Sequence, residues 1–250
     1  MKRFQHDGVE IAFLDEGRGE PIVLVHGFAS TAQVNWVHPG WVTTLTRAGR
    51  RVIALDNRGH GASSKLYEPS AYHSARMADD IGALLDHLGL GRVDVMGYSM
   101  GARIAAFFAL SQAQRLRRAI LGGLGMHLVH GVGGSESIAA ALEAPSLADV
   151  DDPRARVFRA FAERTKSDLK ALAACARGSR QTLTRDQLAL IGAPVLVAVG
   201  TNDAIAGSPQ ELASLLPRGR ALDIPDRDHM LAVGDRAFKQ AVVGFLAEQP

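Results

Sequence analysis

The amino-acid sequence predicts an α/β fold, in which a mostly parallel β-sheet is covered by helices on both faces. Short apolar runs rich in β-branched residues recur along the 250 residues, and Gly, Pro, Asn or Asp bounds each run. The middle runs are apolar on both faces, which is typical of parallel strands buried between helices. Segments with helical periodicity separate these runs, as the alternation of strand and helix in an α/β sheet requires.

Seven segments are predicted to form strands. Val9–Gly17 alternates between apolar and polar residues often enough to be an antiparallel edge strand. The other six are the apolar runs, which begin at Pro21, Arg51, Val93, Arg118, Pro194 and Ala221. We expect the middle runs to form the buried centre of the sheet.

Two covering helices are indicated by apolar residues that recur on one face at the helical period. The first stripe consists of Met77, Ile81, Leu84, Leu85 and Leu88. The second lies near the C-terminus and consists of Phe238, Val242, Phe245 and Leu246. Each stripe is wide enough to bury one side of a helix against the sheet.

One region interrupts the alternation. From about Gly125 to Asp186 no run has strand character, and a glycine-rich loop is followed by helical stretches. Asp152 and Pro153 stand at a helix start, where a carboxylate and a proline are both favourable. We expect a helical insertion at residues 125–186, while residues 1–124 and 187–250 form the α/β core.

The composition is that of an ordinary globular domain, with 47% hydrophobic and 22% charged residues. A formal charge of +2 gives no reason to expect a nucleic-acid partner, and the basic run at 115–118 is interpreted as a solvated helix end. No stretch reaches the roughly 18 apolar residues of a membrane span. Because no apolar segment follows the basic N-terminal residues, we expect no secretory signal and a cytoplasmic location.

Cysteine and histidine usage gives no sign of a disulfide or a metal centre. Cys175 is the only cysteine, so no intramolecular disulfide can form, and its helical spacing from Leu172 indicates a small core residue. His127 and His130 are three residues apart, but no third ligand is nearby. We expect neither a metal nor another cofactor.

The residues that carry chemistry begin with the pentad Gly97-Tyr98-Ser99-Met100-Gly101, which lies between a predicted strand and a predicted helix. This order is that of a nucleophile elbow, in which a serine projects above the sheet from a sharp turn. Glycines two residues before and after the serine leave room for the neighbouring strand and helix. Ser99 is therefore the candidate nucleophile.

A serine hydroxyl is a weak nucleophile and needs an adjacent base, which in turn needs a carboxylate to orient it. In a parallel sheet these groups lie at the carboxyl ends of strands. Of the nine histidines, His229 follows the last predicted strand and is the candidate base. His26 also follows a strand, but it lies upstream of Ser99 in the chain, where the oxyanion loop is expected. His60 is interpreted as a turn residue.

Three aspartates compete for the role of acid. Asp203 follows a buried strand at the correct edge of the sheet and is preferred. Asp226 and Asp228 lie within three residues of His229, and a neighbour so close along the chain usually points its carboxylate away from the ring. The order Ser, Asp, His along the chain agrees with this assignment.

The whole chain resembles the α/β-hydrolase family. The resemblance is carried in order by the motifs VLVHGF, DNRGHGASS, GYSMG, GTND and DRDHM, which span more than two hundred residues. It implies an eight-stranded, mostly parallel sheet and a catalytic triad of Ser99, Asp203 and His229. It also implies that residues 125–186 form a helical cap over the site.

The resemblance further implies an oxyanion hole made by the backbone N–H groups of Phe28 and Met100. Asp56 and Arg58 look like the family's structural turn, which an ion pair and two glycines hold in place. Phe158 and Phe161 in the insertion are expected to line the entrance and to favour apolar acyl groups.

The function expected from these residues is hydrolysis of a small carboxylic ester or lactone through an acyl-enzyme intermediate. Three alternatives stay open at this point. The same triad serves perhydrolases and hydrolases of carbon–carbon bonds, and the fold also serves receptor-like proteins with slow turnover. The expected partner is a small ester or acyl substrate, and the sequence does not give the oligomeric state.

Overall fold

The computed structural model describes residues 1–248 and contains one eight-stranded sheet. Its order is β1-β2-β4-β3-β5-β6-β7-β8, with β1 and β2 antiparallel to their neighbours and all other pairs parallel. The predicted eight-stranded, mostly parallel sheet is thus confirmed. The strands are β1 Lys2–His6, β2 Val9–Gly17, β3 Glu20–Val25, β4 Arg50–Leu55, β5 Val93–Tyr98, β6 Leu116–Gly122, β7 Val195–Gly200 and β8 Gly219–Ile224.

Helices connect the strands, with short 3₁₀ or π turns between some of them. The α-helices of the described chain are α1 Trp41–Arg47, α2 Ser74–His87, α3 Met100–Ser111, α4 His127–His130, α5 Ser135–Glu143, α6 Pro153–Arg164, α7 Leu169–Gly178, α8 Arg185–Ala189, α9 Pro209–Ser214 and α10 Arg236–Ala247. Both helices that periodicity predicted are present, as α2 and α10.

Two apolar clusters cover the two faces of the sheet. On one face α2, α3 and α9 pack against side chains such as Val23 and Val95. On the other face α1 and α10 pack against side chains such as Leu24 and Met96. Since neighbouring residues of β3 and β5 point to opposite clusters, the central strands are apolar on both faces. The prediction of helices on both faces is therefore confirmed.

The sheet has one strand more than the apolar pattern indicated. β1 pairs with β2 from Lys2 to His6, so β2 is not the edge strand that its alternation suggested. Within β1 only Phe4 is buried, because no helix packs against the other side chains of this strand. A five-residue strand with a single buried side chain gives no alternation that sequence periodicity can detect.

We expected the basic run at 115–118 to be a solvated helix end, but only Arg115 ends a 3₁₀ turn, and Leu116, Arg117 and Arg118 are the first three residues of β6. Arg117 and Arg118 lie 3.4 and 3.5 Å from carboxylate oxygens of the buried Asp94, and Arg50 lies 3.0 Å from it. These charges neutralise one another at the amino end of the strands. The interpretation was wrong because the carboxylate that holds the run lies on a neighbouring strand.

Helices α4 to α7 lie within residues 125–186, and between Gly122 and Val195 the described chain forms no strand. As predicted, Asp152 caps α6: its side chain accepts hydrogen bonds from the N–H groups of Arg154 and Ala155, and Pro153 is the first helical residue. A third apolar cluster joins α5, α6 and α7 to Ala29. The domain boundaries at 125 and 186 stay a prediction.

Within residues 1–248 no helix is both long enough and apolar enough to span a bilayer.

Candidate active site

The topology brings three predicted site residues to one edge of the sheet. Ser99 follows β5, Asp203 lies just beyond β7, and His229 lies beyond β8. Because these strands are parallel, their carboxyl ends meet at the same edge. Residues that are up to 130 positions apart in sequence can therefore meet in space.

The turn at Ser99 is strained and depends on the two flanking glycines. Ser99 has φ 55° and ψ −114°, a backbone conformation that L-residues rarely adopt. A Cβ at Gly97 would collide with the carbonyl of Gly101, and a Cβ at Gly101 would collide with the carbonyl of Val25. The Ser99 N–H donates to the Gly122 carbonyl at 2.8 Å, which fixes the turn to β6. The expected elbow is thus present, with both glycines in the expected places.

A chain of hydrogen bonds links the three side chains. The Ser99 Oγ lies 2.9 Å from Nε2 of His229, and Nδ1 of His229 lies 2.7 Å from Oδ2 of Asp203. The Asp203 side chain is fully buried, and its Oδ1 accepts from the N–H groups of Ile205 and Ala206 at 2.8 and 3.0 Å. Each carboxylate oxygen therefore has a partner, and the carboxylate holds the imidazole in the orientation that faces Ser99.

The other two aspartates have different contacts. Oδ1 of Asp228 accepts from the N–H groups of Met230 and Leu231 at 3.0 and 2.8 Å, which fixes the turn after His229. Asp226 is exposed in a turn with φ 56°, and its N–H donates to Thr201. Among the three candidates, the structure places Asp203 against the imidazole.

The Tyr98 side chain contacts His229 through its hydroxyl and its ring. Its hydroxyl donates to the His229 carbonyl at 2.6 Å, and the two ring centroids lie 5.5 Å apart. Burial raises the pKa of Tyr98 well above its usual value, with the charges of Asp203 and Asp228 adding to the effect. The phenol is therefore a neutral donor that positions the histidine.

Two backbone N–H groups beside Ser99 have no partner within residues 1–248. They belong to Met100, at the first position of α3, and to Phe28, in the loop after β3. The Asn35 side chain holds this loop, because its Oδ1 accepts from the Gly27 N–H at 3.0 Å. Free donors at a helix start and in a braced loop suit an oxygen that becomes negatively charged.

His26 belongs to this bracing rather than to the hydrogen-bond chain. Nδ1 of His26 donates to the Gly27 carbonyl at 2.7 Å, and Nε2 accepts from the Asn57 N–H at 2.9 Å. Burial lowers its pKa to about 4, against the stabilising bond to Gly27. The ring is thus neutral and fixes the loop that carries Phe28.

The buried ring of His60 packs against His26, with centroids 5.2 Å apart, and against Phe28, at 6.1 Å. Burial, followed by the nearby His26, lowers its pKa to about 3. Nδ1 of His60 donates to the Arg58 carbonyl at 2.9 Å. This bond to its own turn agrees with the interpretation of His60 as a turn residue.

The ion pair of the adjacent turn differs from what the resemblance suggested. Arg58 pairs with Asp80 of α2, at 2.8 and 2.7 Å, and not with Asp56. Asp56 instead accepts from the N–H groups of Ala32 and Ala62 at 2.7 and 2.8 Å. Asp56 therefore bridges the loop after β3 and the turn after β4, and Arg58 links this turn to α2.

Two cavities open beside Ser99. The larger, of about 550 Å³, is mostly apolar and includes His229, Tyr98, Phe161 and Leu231 in its wall. The smaller, of about 50 Å³, lies away from His229. The residues common to both walls are Phe28, Ser99, Arg154, Phe158 and Ile205. Phe158 and Phe161 thus both lie in the wall of the large cavity, and their position at its entrance stays a prediction.

The part of the chain that the structure describes brings together no group of three metal-ligating side chains.

Nδ1 of His127 donates to the Ile205 carbonyl at 2.6 Å and so supports the loop that holds Asp203. Sequence reasoning missed this role, and it missed Asn35 as well. A single polar residue between Val34 and Trp36 was the only available signal for Asn35.

Comparison with known proteins gives concordant findings. The family described as alpha/beta hydrolase fold matches residues 20–171. A Mycobacterium tuberculosis protein that bears the name non-heme bromoperoxidase BpoC is 29% identical, over 89% of this chain and 91% of its own length.

Solved structures match over nearly the whole chain. A hydrolase from Pseudomonas aeruginosa PA01 has a TM-score of 0.75 at 29% identity and covers 99% of this chain and 98% of its own. An esterase from Thermogutta terrifontis has a TM-score of 0.78 at 26% identity and covers 98% of both chains.

Proposed function

Because the chain belongs to the α/β-hydrolase fold family, we propose that it is a serine hydrolase that cleaves a small carboxylic ester or lactone through an acyl-enzyme intermediate. The observation that carries this proposal is the continuous hydrogen-bond chain from Ser99 through His229 to Asp203, beside two free backbone donors. Nucleophile, base, orienting carboxylate and oxyanion donors are the four components that acyl transfer needs.

In the first half-reaction Ser99 Oγ attacks the carbonyl carbon and gives its proton to Nε2 of His229. The carbonyl oxygen becomes an oxyanion that accepts from the N–H groups of Phe28 and Met100. The intermediate then collapses: its bond to the alcohol oxygen breaks, and His229 returns the proton to that oxygen. Asp203 offsets the charge of the imidazolium throughout.

In the second half-reaction a water molecule takes the place of the alcohol. His229 removes its proton while the water oxygen attacks the acyl carbon, and the same two N–H groups stabilise the second oxyanion. The bond between the acyl carbon and Ser99 Oγ then breaks, His229 returns its proton to Oγ, and the carboxylic acid leaves. A lactone follows the same steps, with acid and alcohol on one product.

The positions of the two cavities assign the halves of the substrate. His229 must reach the leaving oxygen, and His229 borders the large cavity but not the small one. The alcohol therefore occupies the large apolar cavity and the acyl group the small one. This assignment gives Phe161 a role in selecting the alcohol, rather than the apolar acyl group that the sequence suggested.

A fluorophosphonate probe tests the proposal directly, since an activated serine displaces fluoride from phosphorus. We expect intact-mass analysis to show one adduct on Ser99 and hydrolysis of short p-nitrophenyl esters. Ser99→Ala should abolish the adduct, while Ser30→Ala, which removes another serine hydroxyl from the wall of the large cavity, should retain it. A folded protein that takes up no probe and hydrolyses no ester would contradict the proposal.

A second candidate function is perhydrolysis, and the name of the M. tuberculosis relative favours it. If hydrogen peroxide replaces water in the second half-reaction, the acyl-enzyme yields a peracid and free serine. A peracid oxidises bromide to hypobromous acid and becomes the parent acid. Bromination of monochlorodimedone that requires peroxide, a carboxylic acid and Ser99 would support this candidate.

A further inference from the structure

The small cavity beside Ser99 is lined by three arginines from three separate segments. Arg103 lies on α3, one helical turn after Ser99, Arg154 lies on α6, and Arg180 follows α7. Arg103 is only 4% exposed, Arg180 is half-buried, and Arg154 is exposed at the mouth. Three guanidinium groups therefore line a cavity of only about 50 Å³, whereas the large cavity has two, Arg154 and Arg164, in a wall that is mostly apolar.

None of these guanidinium groups forms an ion pair within residues 1–248. Each donates to a backbone carbonyl instead: Arg103 to Gln181, Arg180 to Gly133 at 2.9 Å, and Arg154 to Val132 at 3.3 Å. Most other arginines of the core are paired, as Arg58 is with Asp80. A buried cation without a counter-ion is costly, and this applies to Arg103; its position in the wall of a cavity, beside two further guanidinium groups, suits an anionic ligand.

The three charges also act on one another. Burial lowers the pKa of Arg103 to about 10, and the charge of Arg180 adds to this effect. Burial likewise lowers the pKa of Arg180, with Arg154 contributing. A bound anion would relieve both the repulsion and the loss of solvation.

We propose that the small cavity binds a carboxylate on the acyl half of the substrate, so that the protein acts on half-esters, or on lactones, of dicarboxylic acids. This proposal rests on the proposed serine hydrolase function and specifies its substrate class. Carboxylate and guanidinium groups match in plane and spacing and form paired charge-assisted hydrogen bonds.

The size of the cavity agrees with a carboxylate. A water molecule needs about 10–15 Å³ of such space, so about 50 Å³ holds about three to five non-hydrogen atoms. A carboxylate has three. Because Ser99 and Met100 are in the same wall, the carboxylate would be joined to the reacting carbonyl by a short chain.

The test compares the monomethyl esters of succinate and glutarate with methyl levulinate, which carries a methyl ketone in place of the succinate carboxylate; alkyl esters are used because the free carboxylate of a p-nitrophenyl half-ester would itself displace the phenolate. We expect kcat/KM for the better half-ester to exceed that for levulinate by at least about tenfold. Arg180→Gln and Arg103→Met should each reduce this ratio by about tenfold or more. Arg180→Lys keeps the charge without the planar fork and should reduce it less.

Arg156→Gln is the matched control, because Arg156 lies on α6 two residues after Arg154 but outside both cavities. We expect the ratio to be unchanged in this variant. If Arg103→Met does not fold, the wild-type protein still provides a test: glutarate should inhibit levulinate hydrolysis competitively, and glutaramide should inhibit it far less.

The outcomes separate this proposal from the proposed function. Absence of hydrolysis of all three esters, with no fluorophosphonate adduct, would overturn both. Hydrolysis of levulinate without a preference for either half-ester, together with equal inhibition by glutarate and glutaramide, would overturn the carboxylate site alone. A preference that Arg180→Gln leaves intact would also overturn it.

Discussion

At the scale of single residues, Asp203 divides its carboxylate between two tasks. Oδ2 holds the imidazole of His229, while Oδ1 is held by two backbone N–H groups. An asparagine in its place would keep the packing but favour the wrong tautomer of the imidazole. In a serine protease the same change lowers kcat by about ten-thousand-fold. We expect Asp203→Asn to lower kcat by at least about a hundredfold on this basis, with little change in melting temperature.

Asp226→Asn and Asp228→Asn are the controls for this prediction. Both carboxylates are close to His229 in sequence, but neither contacts its ring. We expect each variant to lose less than about tenfold in kcat, well below the loss expected of the orienting carboxylate. Near-normal kcat in Asp203→Asn, with a large loss in either of the others, would show that the acid is misassigned.

The two buried histidines predict a pH-dependent stability. In the folded protein burial holds the pKa of His26 at about 4 and that of His60 at about 3, so both rings are neutral at pH 6. In the unfolded chain they take up protons below about pH 6.5. The free energy of unfolding should therefore decrease as the pH falls from about 6.5 towards 4, by about 1.4 kcal/mol per pH unit for each ring.

Urea unfolding at pH 7.5 and 5.0 measures this effect. His60→Asn keeps a donor for the Arg58 carbonyl but has no titrating ring, so we expect a smaller stability difference between the two pH values than in the wild type. His38→Asn is the control, since His38 is exposed in the folded protein. Equal pH dependence in wild type and His60→Asn would contradict the prediction.

These residues show what the sequence could and could not predict at this scale. Ser99, His229 and Asp203 could be proposed from the sequence because each lies within five residues of the carboxyl end of a strand, and the sheet topology brings these ends together. The three arginines were not found, because their partners lie 22 to 78 residues away along the chain, and Asn35 was not found because no sequence pattern marks its bond to Gly27. The cationic cavity needs the folded positions of α3, α6 and the chain after α7.

At the scale of secondary structure, α6 contributes side chains to the walls of both cavities. Phe158 lies in the walls of both and packs on Phe28 with ring centroids 5.9 Å apart, whereas Phe161 borders only the large cavity. If the large cavity receives the alcohol, Phe161→Ala should weaken the preference for a large apolar alcohol. Because the apolar area that one aromatic ring buries against the substrate contributes to binding, we expect its removal to lower kcat/KM for that alcohol by about fivefold to tenfold.

Acetate esters of methanol and benzyl alcohol, compared by kcat/KM, provide the measurement. We expect Phe161→Ala to reduce the benzyl-to-methyl ratio, while Phe107→Ala on α3, whose ring packs near His73 away from both cavities, leaves it unchanged. A Phe161→Ala variant that alters the ranking of acyl groups but not of alcohols would reverse the assignment of the two cavities.

The elements themselves were predictable to different degrees. Central strands such as β5 and β7 are buried at every position, and their continuous apolar runs indicated them directly. β1 was missed because a strand with one buried residue has no periodic signal. The basic run at the start of β6 was misinterpreted because Arg117 and Arg118 are held by Asp94 on the adjacent strand.

At the scale of the whole molecule, α7 joins the helical segment to the main core. Leu172, Ala173 and Ala176 pack in the cluster formed by α5 and α6. Cys175, on another face of α7, packs in the core cluster beneath α3. Gly178 packs so tightly on the backbone of Pro69 that a Cβ would collide with it. These contacts predict that α7 unfolds with the sheet and not as part of a loosely attached cap.

Cys175 provides a probe of this coupling. Its Sγ is fully buried, 3.7 Å from the Met100 sulfur, and burial raises its pKa to about 12. Since the thiolate is the reactive form, the native thiol should not react with a disulfide reagent such as dithiobis-nitrobenzoate. Reaction then requires an opening that exposes α7, and its rate reports the free energy of that opening.

We expect the free energy obtained from thiol reactivity to equal that of global unfolding within about 1 kcal/mol and to fall with urea at the same slope. Cys175→Ala, which has no thiol, gives the background rate. An opening with a smaller free energy and a weak dependence on urea would mean that α7 detaches while the sheet stays folded. In that case Met100, which Cys175 contacts, would lose its support whenever the helix opened, and the N–H group that we propose as an oxyanion donor would be ordered only part of the time.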